Sequence, residues 1–66
     1  MSVVKVIEIT SSSPTSFAEA VKEGITKASE TIRGIKGAWV SEESVVVENN
    51  AVTEFRVTMR VSFELE

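Results

Sequence analysis

The stretch Val52-Thr-Glu-Phe-Arg-Val-Thr-Met-Arg-Val-Ser-Phe-Glu-Leu65 decides the fold of this chain. Along it Thr53, Phe55, Val57, Met59, Val61, Phe63 and Leu65 alternate with Glu54, Arg56, Thr58, Arg60, Ser62 and Glu64. Successive side chains of a strand point to opposite faces, so the alternation predicts a strand with one apolar and one polar side. The apolar side needs a covering layer.

Just upstream, Asn49-Asn50 closes the run Ile35 to Glu48. Asparagine tolerates positive φ, so the pair predicts a tight turn and an antiparallel hairpin of strands two and three. A two-residue loop sets a register in which Val40 faces Met59, Ala38 faces Val61 and Trp39 faces Arg60. In that register Gly37, Trp39, Ser41, Glu43 and Val45 share the face of Arg56 and Arg60, because directly paired residues point the same way.

Further upstream lies the covering layer. Phe17, Ala20, Val21, Gly24, Ile25, Ala28 and Ile32 recur at spacings of three and four and draw one apolar stripe along a helix. Ser16 and Glu19 have capping-box spacing at its start, and Arg33 and Gly34 suit its end, with Gly34 as the C′ residue. Glu23 and Lys27 stand in favourable order on the solvated side. Gly24 weakens a helix by about 1 kcal/mol relative to alanine, so its place in the stripe predicts a close approach of the sheet. Before the helix, Ser11 to Ser16 reads as a loop, and Ser2 to Thr10, dense in valine and isoleucine, as strand one. The expected fold is α+β: one β-α-β-β domain over residues 1–66, a three-stranded antiparallel sheet packed around one helix.

Composition narrows the chemistry. The 66 residues contain no cysteine and no histidine, which removes disulfides, thiol nucleophiles, the usual general base and the usual transition-metal ligand. Glu42 and Glu43 are adjacent on a strand and point apart, so they cannot act as an acid-base pair, and no enzyme is expected. A net charge of −3 is the wrong sign for binding a phosphate backbone, so nucleic acid is not an expected partner. No run approaches the ~18 apolar residues of a membrane span, and a cytoplasmic protein is expected. A chain this short buries a modest core and lacks covalent or metal staples, so it is expected to associate with copies of itself. Trp39, on the side the helix does not cover, marks contact with a ligand or another subunit, or lies over Arg60 as a cation–π pair.

The β-α-β-β order, the opening Val4-Lys-Val-Ile-Glu-Ile9, the helix entry Ser13-Pro-Thr-Ser-Phe17 followed by Ala20, and above all Phe55-Arg-Val-Thr-Met-Arg-Val-Ser-Phe-Glu-Leu65 together resemble the dodecin family over nearly the whole chain. The resemblance implies a hollow homododecamer of cubic symmetry. It also implies flavin, riboflavin or FMN, held as stacked pairs between tryptophans of neighbouring subunits and stored rather than turned over. Matched on the strand-three block, the family's stacking tryptophan falls at Gly37 and its flavin-edge glutamine at Arg56. Glycine offers no ring, and arginine offers donors only. Trp39, two residues on and pointing the same way, is the remaining stacking platform, so Gly37, Trp39 and Arg56 are the candidate ligand site. The arginine and the Val-Ser-Phe ending resemble a calcium-associated group of dodecins. Hard cations want several oxygens, and Glu42, Glu43 and Glu48, with Asn49 and Asn50, are the candidate donors. Their spacing matches no EF-hand loop, so symmetry-related copies would have to gather them.

Overall fold

The computed structural model describes residues 3–65. The order is β1 (Val4–Ser13), α1 (Phe17–Ala28), β2 (Ile35–Glu48) and β3 (Ala51–Glu64). The strands form one antiparallel sheet in the order β1-β3-β2. The two-faced strand β3 is therefore central, and its Val57, Met59 and Val61 are fully buried. Ala20 of α1 completes the core with Val57 and Met59, flanked by Ile9, Phe17, Val21 and Ile25. Phe17 meets Phe55 edge-on at 5.2 Å. The expected α+β architecture, with the apolar face of β3 against the helix, is the observed one.

Strand one runs further than its composition suggested. Its pairing with β3 continues unbroken from Val4↔Glu64 to Ser13↔Phe55, so Ser11, Ser12 and Ser13 belong to the strand rather than to a loop. Serine is small enough to sit beneath the helix, and the strand stops only at Pro14, which cannot continue the ladder. Ser13 is buried, and its hydroxyl accepts from the Thr15 backbone N–H at 3.1 Å. The Ser2 end of the expected strand lies outside the described residues.

Ser16 caps the helix as expected, its Oγ accepting from the Glu19 N–H at 3.0 Å. The far end comes earlier than the apolar stripe implied. Ser29 Oγ donates to the Thr26 carbonyl at 2.8 Å and Thr31 Oγ1 to the Ala28 carbonyl at 3.5 Å. The Glu30 N–H turns to the Lys27 carbonyl and the Thr31 N–H to the Ala28 carbonyl, both at 3.2 Å, so the last turn tightens and the regular ladder ends. Gly34 is thus not the C′ residue, and Lys27, not Arg33, is the basic residue of the last turn. Lys27 pairs with Glu30 at 3.3 Å, not with Glu23. Gly34 serves the entry to β2 instead, at φ +76° with its carbonyl accepting from the Glu64 N–H at 3.1 Å.

The hairpin turn is the expected one, with Asn49 at φ 52° and Asn50 at φ 63° between Glu48 and Ala51. Three bulges interrupt the ladder, leaving Lys36 and Ser41 extra on β2 and Thr53 extra on β3. Ser41 Oγ donates to the Thr58 carbonyl at 3.1 Å and Thr53 Oγ1 to the Val46 carbonyl at 3.3 Å, so a hydroxyl tethers two of the bulges to the opposite strand. The pairs Val40↔Met59, Trp39↔Arg60 and Ala38↔Val61 are as expected. Between the Ser41 and Thr53 bulges the register moves by one: Glu42 faces Thr58, Glu43 faces Val57, Ser44 faces Arg56 and Val45 faces Phe55. Glu43 and Val45 consequently lie on the helix side, not with the arginines, because one extra residue inverts the facing of those beyond it.

Candidate functional site

The face of the sheet away from α1 is built of cross-strand rows. Val6, Ser62 and Gly37 form one; Glu8, Arg60 and Trp39 the next; then Thr10, Thr58 and Glu42; then Ser12, Arg56 and Ser44. Each row takes one residue from each strand, so alternation on β3 dictates the facing of all three.

Most of the polar groups on this face engage one another. Arg60 Nε lies 3.8 Å from Glu8 Oε2, and Arg56 Nη2 lies 3.6 Å from Glu54 Oε1. Arg56 Nε donates to Ser12 Oγ at 3.3 Å, and Thr10 and Thr58 hydroxyls meet at 3.2 Å. Ser62 Oγ donates to the Gly37 carbonyl at 3.2 Å, which turns that hydroxyl onto the backbone. These ion pairs are exposed and contribute little to stability.

Trp39 stands apart from that network, 49% exposed. Arg60, its cross-strand neighbour, turns to Glu8, and among the described residues no cation–π contact forms. Beside it, a β-carbon built on Gly37 would touch only Ser62 Oγ, at 3.5 Å. An exposed indole thus flanks an open space on a flat floor, a surface that can stack against a planar ring. Gly37 and Trp39 come together as expected. Arg56 shares their face but sits four residues along β3 from Arg60, roughly 13 Å from the tryptophan row at the usual strand rise. Arg60, Glu8 and Ser62 are nearer to Trp39 than Arg56 is. Arg60 was placed opposite Trp39 by the hairpin register alone, whereas Glu8 was hidden in the sequence because its place depends on how β1 registers against β3.

The acidic candidates separate. Glu42 lies on this open face, Glu43 on the helix side and Glu48 at the hairpin end opposite Ala51. Among the described residues no three acidic side chains stand close enough together to hold a metal ion. No helix among those residues is long and apolar enough to cross a membrane.

The chain is a short β-α-β-β unit with one sheet face covered by its helix and the other open around an exposed tryptophan. The comparisons with known proteins are specific. The dodecin family model matches residues 3–66, and the chain belongs to the dodecin family. Calcium dodecin of Mycobacterium tuberculosis is 35% identical over 65 residues, covering 98% of this chain and 92% of the relative. The structure of dodecin from Streptomyces coelicolor superposes with a TM-score of 0.95 at 28% identity, over 98% of this chain and 93% of that one. The crystal structure of the Mycobacterium tuberculosis calcium dodecin, described as calcium chelating, superposes at 0.86 with 33% identity, over 97% of this chain and 91% of that one.

Proposed function

We propose that this chain is a cytoplasmic binding and storage subunit that assembles into a hollow homododecamer and holds a flat ligand of the flavin type, riboflavin or FMN, where the open faces of neighbouring copies meet. The observation that carries the reading is the half-exposed Trp39 beside the open space over Gly37, on the face the helix leaves bare. The site is one for sequestering. It offers ring surface and hydrogen-bond donors, and no histidine or cysteine to drive turnover. Titration of the purified protein with riboflavin tests it: quenching of flavin fluorescence at micromolar protein is expected, and its absence removes flavin. Light scattering tests the assembly, with a mass twelve times the 7.2 kDa chain expected.

Calcium is the second reading, favoured by the 35% identity to a relative named for that ion. The carboxylates of Glu42, Glu43 and Glu48 do not converge within one chain, so such a site would be assembled across copies. Calorimetry with calcium, repeated in chelator, gives heat in the first case alone if this reading holds.

A further inference from the structure

The bulge at Ser41 decides which side chain stands next to Trp39. Simple alternation along β2 would put Ser41 on the open face after Trp39 and send Glu42 to the helix side. Ser41 is extra instead, its hydroxyl held by the Thr58 carbonyl at 3.1 Å, and Glu42 takes the open facing opposite Thr58. The rows Trp39–Arg60 and Glu42–Thr58 are two residues apart on β3, which separates them by roughly 7 Å at the usual strand rise.

The other charges of this face fall into pairs. Arg60 lies 3.8 Å from Glu8, Arg56 lies 3.6 Å from Glu54, and Lys36 lies 3.9 Å from Glu64. Thr10 and Thr58, which share the row of Glu42, bond to each other. Among the described residues Glu42 is thus an exposed carboxylate of the open face that no lysine or arginine meets. The indole beside it is half-exposed, with no cation over its ring among those residues.

The face of an indole is electron-rich and attracts positive charge, and an unpaired carboxylate one row away adds to the same preference. We infer that the ring stacking on Trp39 is a positively charged heteroaromatic, held by the indole and by Glu42 together. The inference rests on the reading that a flat ligand stacks on Trp39, and adds the charge of its ring. A ring of negative charge would find both arginines already engaged by Glu8 and Glu54, and Glu42 would repel it.

Acridine at mildly alkaline pH and N-methylacridinium are the same flat ring without and with a fixed positive charge. Quenching of Trp39, the single tryptophan, reads both. N-methylacridinium is expected to bind about five- to tenfold more tightly than acridine. Glu42→Gln is expected to weaken the cation about threefold and to leave acridine unchanged. Glu48→Gln removes the same charge at the hairpin end, opposite Ala51, and is expected to change neither. Equal affinities for the two rings would overturn the inference while stacking on Trp39 stands. A preference left at full size by Glu42→Gln, or lowered equally by Glu48→Gln, would overturn it as well, since Glu42 would then not set it. If neither ring quenches Trp39, the flat-ligand reading fails first and the inference with it.

Discussion

Gly24 of the helix and Met59 of the central strand meet so closely that a β-carbon on the glycine would stand 2.7 Å from the methionine Cε, and 2.9 Å from Ser11 Cβ. Two effects compete in Gly24→Ala. Alanine favours the helix by about 1 kcal/mol, while overpacking costs about 1–3 kcal/mol. Met59 Cε ends a flexible side chain and can move, but Ser11 Cβ is fixed to the strand. Overpacking should win, with a net loss of about 1–2 kcal/mol. Urea unfolding followed by circular dichroism at fixed chain concentration checks the sign, because association makes midpoints concentration-dependent.

That contact was legible before any coordinates, since a glycine inside an apolar helical stripe asks for a reason. The alternation over Phe55 to Leu65 was equally plain, because a strand buried on one side cannot slip by a residue without exposing its core. The bulges were not legible. Ser41 and Thr53 look like ordinary alternating residues, and only the carbonyls their hydroxyls reach, Thr58 and Val46, show why the chain inserts them. The same limit hid part of the site. Trp39 and Gly37 could be placed from the hairpin alone, whereas Glu8 beside Arg60 required the β1 register.

Ser13 is the buried polar residue of the core region, 1% exposed. Its hydroxyl accepts from the Thr15 N–H at 3.1 Å and meets Thr15 Oγ1 at 2.9 Å. Ser13→Ala leaves that N–H without its partner at the turn into the helix. Thr15 is itself exposed, so a loss of about 0.5–1.5 kcal/mol is expected, the usual net contribution of one hydrogen bond. Thermal or urea unfolding against the unsubstituted chain measures it. A change below about 0.5 kcal/mol, the range of ordinary surface substitutions, would mean that water replaces the bond.

At Gly34 the constraint is the backbone itself. With φ at +76° and a would-be β-carbon 3.3 Å from the Glu64 carbonyl oxygen, an L-residue is strained there. Gly34→Ala should lose about 1–2 kcal/mol. Gly34→Asn should lose less, since asparagine visits the left-handed region more readily. The order of the two unfolding midpoints is the test. Equal midpoints would place the penalty in the Glu64 contact rather than in φ.

Gly37 presents the opposite case, and it separates the two ligand readings. Its φ lies outside the left-handed region, and a β-carbon there would be 3.5 Å from Ser62 Oγ, an ordinary contact. A large side chain can therefore be introduced without strain at the backbone. Gly37→Trp/Arg56→Gln puts a ring into the open space beside Trp39 and replaces a donor-only group with an amide that both donates and accepts. The lost Arg56–Glu54 ion pair is exposed and contributes little. If the open face is a flavin-type site, the double variant should bind riboflavin at least tenfold more tightly, about 1.4 kcal/mol, and Trp39→Phe in the unsubstituted chain should weaken binding. Fluorescence quenching reads both. An unchanged affinity in the double variant, at unchanged mass in light scattering, would take the flat ligand off this face and leave calcium, held between copies, as the reading to pursue.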